Sequence, residues 1–440
     1  MRVENSGEHV RILLGHPGRQ HSYRLATALK KAGLLDKYMT TVYYGKNQKS
    51  LTRWVTNLLK GDIRDRASGR VCQALDDEDV VKFGEALGLM TLAAYRIDPS
   101  GRLPRLFESL TSWYFQVRVA NYAIRNKVDA VIMYDCNARH CFRILARRAP
   151  EITRIIDNAH PARNYLYEVY QQHMHASGVF ALTLERQPYL FDRSMAAVYG
   201  REARLAQYHI VASKFSRDSV RFNGFTDEEI LLVPYGVDSG TFKPHARPGN
   251  TLNVLFVGEI NQRKGIAQIL EAAVQMSGQE VSFELVGGGQ EFHRHLYDPF
   301  RQYVSFRGRI SFAELIEAFG RADVFVFPSI GEGFGLVVLE ALSAGLPVIS
   351  STNCVGADVI ADFVNGFVIP AGDTQALVER IEWLAQHPDE LARMGKAAEQ
   401  TAREFTWERY EQAIADLLRR KLLPSPDVPA VDLGFGNLSS

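Results

Sequence analysis

Residues Pro328–Gly345 read P-S-I-G-E-G-F-G-L-V-V-L-E-A-L-S-A-G, and this segment points to a parallel α/β architecture with a ligand site at a strand end. Just ahead of it, Asp323–Phe327 (D-V-F-V-F) is a short apolar run, the pattern of a buried strand. A helix is expected from about Leu336. Glycines at 331, 333 and 335 let the backbone approach a ligand and aim N–H groups at it. The helix start beside them adds a partial positive charge suited to phosphate. Glu332 lies in the loop and Glu340 about one turn into the helix. Carboxylates at those points suit neutral sugar hydroxyls, which they hold as hydrogen-bond acceptors. Diphosphate and sugar hydroxyls together describe a nucleotide sugar.

Short apolar strands alternate with helical stretches on both sides of this segment, which argues for parallel sheets. Downstream of the midpoint, strands are expected at 252–257, 281–286, 304–306, 323–327, 347–349 and 366–369. Upstream they are expected at 10–14, 39–44, 128–133, 154–156 and 209–212, with helices at 23–31 and 107–126 among those between them. Val233–Gly249 (VPYGVDSGTFKPHARPG) is rich in Gly and Pro and separates the two series as a linker. The tail Pro424–Ser440 carries three prolines and two glycines and is expected to be disordered.

A chain of 440 residues is too long for one core, so two or three domains are expected. With 46% hydrophobic and 23% charged residues the composition is that of a soluble globular protein. No run approaches the roughly 20 apolar residues of a spanning helix. The opening MRVENSGEHVRILLG is polar where a secretory leader would be apolar. Cys72, Cys136, Cys141 and Cys354 form no C-x-x-C pair, and such scatter suits reduced thiols in a cytoplasmic protein. The net charge of +1 conceals an uneven distribution: residues 1–200 hold 29 Lys/Arg and 19 Asp/Glu, whereas residues 201–440 hold 22 and 31. The basic half could meet an anionic partner such as a phospholipid surface. Within it, 46–70 has seven basic and two acidic residues, with Leu51, Trp54, Val55, Leu58 and Leu59 at helical spacing, as in helices that lie on membranes. A helix packed on its own domain with a basic outer face is the alternative.

Other segments carry possible chemistry. In Gly258–Ala273 (GEINQRKGIAQILEAA), Arg263 and Lys264 stand where a helix is expected to open, a place unfavourable for cations unless an anion is bound nearby. Val286-Gly287-Gly288-Gly289 ends another strand, where α/β sheets bind ligands. Gly15-His16-Pro17-Gly18-Arg19 follows the first strand but lacks the spacings of dinucleotide and ATP loops. Asp157-Asn158-Ala159-His160-Pro161 follows another strand, and His160, restrained by the proline after it, is the histidine most suited to a site. Asp77-Glu78-Asp79 matches a D-x-D metal motif in form, yet it sits in an acidic cluster rather than after a buried strand and reads as a solvated helix start.

Taken together, VPYGVDSGTFKP, VGEINQRKGIAQILEA, VSFRGRISFAELIEAFGRADVFVFPSIGEGFGLVVLEALSAGLPVIS, NGFVIPAGD and FTWERYEQAIADLL resemble the retaining glycosyltransferases of family 4, of the group 1 glycosyltransferases, densely from about Val233 to Tyr410. The resemblance implies the GT-B fold: two Rossmann-like doubly wound parallel-sheet domains facing a cleft. It implies an N-terminal acceptor-binding domain over 1–240, a nucleotide-sugar domain over 241–404 and a helix over 405–422 crossing back to the first, with 423–440 as the tail. Glu332 then matches the residue on the donor sugar's hydroxyls, and Gly333, Phe334, Gly335 and Leu336 the backbone around the diphosphate and sugar. Glu340 matches the group on the ribose, and Lys264 the cation on the diphosphate. Arg309 and Ile310 match the backbone near the nucleobase, Gly18 a loop glycine near the leaving phosphate, and His160 a histidine near the transferred sugar. Where the family often has V-G-R, this chain has Glu259, and Arg263 is the substitute cation.

The implied activity is transfer of a sugar, with retention, from a nucleotide-diphosphate sugar to an acceptor hydroxyl. No metal and no other cofactor is expected, because Lys264, Arg263 and backbone N–H groups meet the leaving charge. The expected partners are the nucleotide sugar, a lipid-linked or saccharide acceptor in polysaccharide or glycolipid assembly, and an anionic membrane surface through 46–70. Nucleic acid is not among them. The expected place is the cytoplasm, extending to the inner face of the membrane. An epimerase or phosphorylase on the same fold would share the diphosphate loops, and a non-catalytic nucleotide-sugar-binding homologue would keep only the fold.

Overall fold

In the computed structural model of the protein, residues 10–18, 21–45, 51–58, 69–98, 102–185, 187–242 and 251–423 are described. Among them the strands form two parallel sheets. The first comprises β1 (Ile12–Gly15), β2 (Leu35–Thr40), β3 (Val80–Lys82), β4 (Ala130–Tyr134), β5 (Thr153–Asp157), β6 (Tyr208–Val211) and β7 (Ile230–Leu232), in the order β3-β2-β1-β4-β5-β6-β7. The second comprises β8 (Leu252–Val257), β9 (Val281–Val286), β10 (Ser305–Gly308), β11 (Val324–Phe327), β12 (Val348–Ser351) and β13 (Gly366–Ile369), in the order β10-β9-β8-β11-β12-β13. Central strands such as β4 (AVIMY) and β11 (VFVF) are unbroken apolar runs buried along their whole length. That is what a parallel strand covered by helices on both faces requires. On one face of the first sheet, Phe115, Val119 and Ala123 of the helix Arg102–Asn126 pack with Leu13, Val131 and Met133.

Both orders are doubly wound, and each reverses direction once. In the first sheet the reversal lies between β1 and β4, in the second between β8 and β11. Loops leaving the carboxyl ends of two strands diverge there and leave a ligand site. The loop from His16 to Gly18 follows β1, Gly258–Gly265 follows β8, and Pro328–Gly335 follows β11.

The contacts divide the chain into two compact units. One takes residues up to Asp157, then Arg201–Ile210 and the chain from Glu411; the other takes Asn158–Gly200 and Val211–Tyr410. This division follows contacts rather than sheets, and it differs from the expected division at residue 240. The helix Trp407–Leu422 contributes to both units: Trp407 and Tyr410 pack around Tyr235 in the second, while Glu411 pairs with Lys31 at 2.6 Å and Arg419 donates to the Ala32 carbonyl in the first. Part of the linker, residues 243–249, and the tail from residue 424 lie outside the described residues.

Several expectations are corrected. β2 occupies Leu35–Thr40 rather than 39–44, because the alternation L-D-K-Y-M-T places only its second half in the core. β3 and β7, of three residues each, have too little pattern to be read from sequence. Arg263 and Lys264 do not open the following helix. They occupy a 3-10 turn, Gln262–Lys264, and the helix Ile266–Gln275 starts after Gly265, whose φ is +72°. In the 46–70 segment, the described helix Leu51–Leu58 turns Thr52 and Thr56 inward and leaves Leu51 and Trp54 exposed. Residues 46–50 and 59–68 lie outside the described residues.

Candidate active site

The site is built in the second unit from the loops after β8 and β11. The two loops are joined through their backbones: the Arg263 carbonyl accepts from the Ile330 N–H at 2.9 Å and from the Ser329 hydroxyl at 2.9 Å. Gly265 makes this approach possible, since a Cβ there would stand 2.1 Å from the Pro328 carbonyl oxygen. The Asn353 carbonyl takes the Glu332 N–H at 3.0 Å, and the Asn353 amide donates to Ile330 O at 2.8 Å. Gly333 O accepts the hydroxyls of Ser213 and Ser216 at 2.6 and 2.7 Å. The Cα of Gly333 lies against the Ala159-His160 backbone, so that a Cβ would be 2.4 Å from Ala159 O. That contact brings the exposed His160 beside the glycine-rich loop.

This scaffold gathers three charges. Arg263 Nη1 donates to Glu332 Oε2 at 2.7 Å, and Lys264 Nζ donates to the same oxygen. The three side chains are 19, 11 and 14% exposed in the order Arg263, Lys264, Glu332. Burial by itself would raise the Glu332 carboxyl, but the charges of Arg263 and Lys264 outweigh it and bring the group down to about 2. Burial holds Lys264 below the usual lysine range, with Glu332 opposing that shift and Arg263 adding to it. Lys264 Nζ also stands 4.7 Å from the ring centre of Phe327. Removing one member of such a group leaves an uncompensated buried charge, at a cost of roughly 3–5 kcal/mol.

The loop then enters the helix Leu336–Ser343 through Gly335, at φ +93°, while Phe334 packs edge-on against Tyr235 at 5.0 Å. Glu340 is half-buried one turn further on, and burial raises its carboxyl. Arg309 and Ile310 follow β10, with the Arg309 side chain lying along Gly288. Gly18 belongs to the first unit. Its N–H donates to His16 Nδ1 at 2.8 Å, and it helps line a cavity of about 270 Å³ whose walls include Thr41, Arg70, Thr91, Ser112 and Asn137. Arg19 lies outside the described residues. Asp79 of the D-x-D match pairs with Lys30 at 2.7 Å and closes a capping box with Asp76.

Sequence reading did not anticipate Ser213, Ser216, Asn353 or Tyr170. Ser213 and Ser216 carry a legible signal, because S-K-F-S after β6 is a helix-start pattern and Ser213 does accept the Ser216 N–H at 3.1 Å. Tyr170, buried near the charged trio, gives no such signal in sequence.

Residues 239–401 match the family described as Glycosyl transferases group 1. The matched span, a little over a third of the chain, is similar to a group 1 glycosyl transferase domain. It contains Arg263, Lys264, Glu332 and Glu340, whereas Gly18 and His160 lie outside it. EpsD of Bacillus subtilis, named as a glycosyltransferase, is 25% identical over 327 residues, covering 68% of this chain and 80% of that protein. The phosphatidyl-myo-inositol mannosyltransferase of Mycobacterium leprae is 32% identical over 190 residues, 41% of this chain, and the match spans half of that protein. Sucrose-phosphate synthase from Thermosynechococcus elongatus superposes with a TM-score of 0.65 at 20% identity, over 94% of this chain and all of that one. HepE of Anabaena, in complex with UDP-glucose, gives 0.61 at 16% identity over 93% of this chain and 99% of that one. At these identities the solved structures show the fold, the pair of Rossmann-like sheets known as GT-B.

Proposed function

We propose that this chain is a group 1 glycosyltransferase and moves a sugar, with retention of configuration and without a metal ion, from a nucleoside-diphosphate sugar to an acceptor hydroxyl in polysaccharide or glycolipid assembly. The observation that carries the reading is the charged trio at the reversal point of the second sheet. Two cations stand beside a glycine-rich helix start, and two carboxylates of different character lie along the same loop and helix. Arg263 and Lys264 bind the diphosphate, Glu340 the ribose hydroxyls, and Glu332 the sugar hydroxyls. The bond between the anomeric carbon and the phosphate oxygen breaks, its electrons go to that oxygen, and the two cations stabilise the charge there. The acceptor oxygen attacks the same face of an oxocarbenium-like centre, and its proton passes to the departing phosphate oxygen. His160, beside the glycine-rich loop, is assigned the part of steadying the sugar.

The first unit is assigned the acceptor. The cavity beside Gly18 offers hydroxyl and amide groups suited to a saccharide. The exposed Leu51 and Trp54, in a strongly basic segment, favour an acceptor met at an anionic membrane. Among the described residues, no helix is long and apolar enough to cross a membrane.

The test is transfer from a labelled nucleotide sugar in EDTA, with the product's anomeric configuration read by NMR. The expected result is a retained configuration and undiminished transfer. An inverted product, or activity lost in chelator and restored by magnesium or manganese, contradicts the mechanism. Release of free nucleotide with no acceptor present would point to an epimerase instead.

A further inference from the structure

Arg263 and Lys264 share a single oxygen of Glu332, so this one carboxylate serves as hydrogen-bond acceptor to both cations of the trio. The backbone on either side of that carboxylate is tied: Glu332 N–H to Asn353 at 3.0 Å, Gly333 O to Ser213 and Ser216 at 2.6 and 2.7 Å. Gly333 is also seated against Ala159. The anchored loop leaves the Glu332 side chain, turning about its own torsions, as the part able to move.

We infer that Glu332 is the resident anion of the diphosphate site and gives up that place most readily to a ligand carrying sugar hydroxyls, which makes it a specificity-determining residue. The inference rests on the nucleotide-sugar reading above. Phosphate oxygens and the carboxylate compete for the same N–H groups of Arg263 and Lys264. A bare nucleoside diphosphate must displace a carboxylate to which it offers no replacement partner from a sugar. A nucleotide sugar brings hydroxyls that donate to the carboxylate as it turns away, offsetting part of the lost ion pairing. One side chain thus favours the donor over the spent nucleotide, and its return to the cations expels the product.

The test is calorimetric titration of the full chain and of Glu332→Gln with UDP, GDP and ADP, with UDP-glucose, GDP-mannose and ADP-glucose, and with inorganic pyrophosphate. The variant is expected to bind the bare nucleotide that suits the parent about tenfold more tightly, the scale of a 1.4 kcal/mol change. Its preference for the sugar conjugate over the bare nucleotide narrows, and pyrophosphate tightens in step. Glu332→Asp, which keeps the charge but reaches less far, falls between the two and carries the test if the Gln variant does not fold. Nucleotide binding that is unchanged or weaker in the folded variants overturns the inference while leaving the nucleotide-sugar reading in place. A parent and variants that bind no nucleotide at all overturn that reading, and the inference with it.

Discussion

At the scale of single residues, Glu332 and Glu340 are proposed to have different tasks although both are carboxylates on one loop and helix. Glu340→Ala is expected to weaken nucleoside-diphosphate binding, since a ribose contact persists in ground and transition states alike. Glu332→Ala is expected mainly to lower kcat, by about tenfold to a hundredfold, because its sugar changes charge during transfer. Equal losses of nucleotide affinity in both variants would count against this division. Glu332 also makes a testable contribution to stability. Its folded-state carboxyl, at about 2, lies below the ordinary 4.5, so the contribution is complete above pH 4.5 and is lost as pH falls toward 2. A difference of that size is worth about 3 kcal/mol. The gap in unfolding free energy between parent and Glu332→Gln should therefore shrink steadily between pH 4.5 and 2.5, and a gap that stays constant would rule the pairing out. The type and place of these residues were legible in sequence, because glycine spacing and charge at a strand end are local signals. The pairing of Glu332 with the expected diphosphate cations was not, since it joins loops nearly 70 residues apart.

At the scale of elements, the two loops of the site depend on glycines that other parts of the chain press against. Gly265→Ala would force a side chain into a left-handed φ of +72° and to within 2.1 Å of the Pro328 carbonyl. A loss of about 2–4 kcal/mol in unfolding free energy is expected, together with loss of donor binding. Gly278→Ala, at a similar φ of +86° but with open space around it, should lose only about 1 kcal/mol and keep activity. Equal effects in the two variants would show that crowding between the β8 and β11 loops has no part in the cost. Element reading was best where a mostly apolar run is clearly bounded: β8, β9 and β13 fall where their apolar runs place them. It failed at β2, half-polar by composition, and at the short β3 and β7, which owe their conformation to the strands beside them. The 3-10 turn carrying Arg263 and Lys264 was also illegible, because Gly265 could as well have been an interior helix residue.

At the scale of the whole molecule, the first 200 residues are basic and the rest acidic, and Arg263, Lys264, Glu332 and Glu340 lie in the second unit, whereas Gly18 lies in the first. The cations of 46–70 should give salt-sensitive adsorption to anionic vesicles, each contributing about 1 kcal/mol near the surface, with a residue from Trp54 and its neighbours that salt does not remove. Co-sedimentation with anionic and neutral liposomes checks this. Binding that is the same after Trp54→Ala combined with neutralisation of Lys49, Arg53 and Lys60 would make the segment ordinary surface and the acceptor soluble. The two-sheet architecture was legible because alternation of strand and helix is repeated along the whole chain. The grouping of 158–200 and 211–235 with the second unit was not, since contacts between distant segments leave no periodic trace. The central claim is that a nucleoside-diphosphate sugar is held by Arg263, Lys264 and the helix start after Gly335. Its most direct test is a thermal-shift panel of UDP-, GDP- and ADP-sugars on the parent and on Lys264→Ala. The account predicts that one class of nucleotide sugar raises the parent's Tm by several degrees and that the shift collapses in Lys264→Ala; a parent that no nucleotide sugar stabilises, or a shift of equal size in the variant, would contradict it.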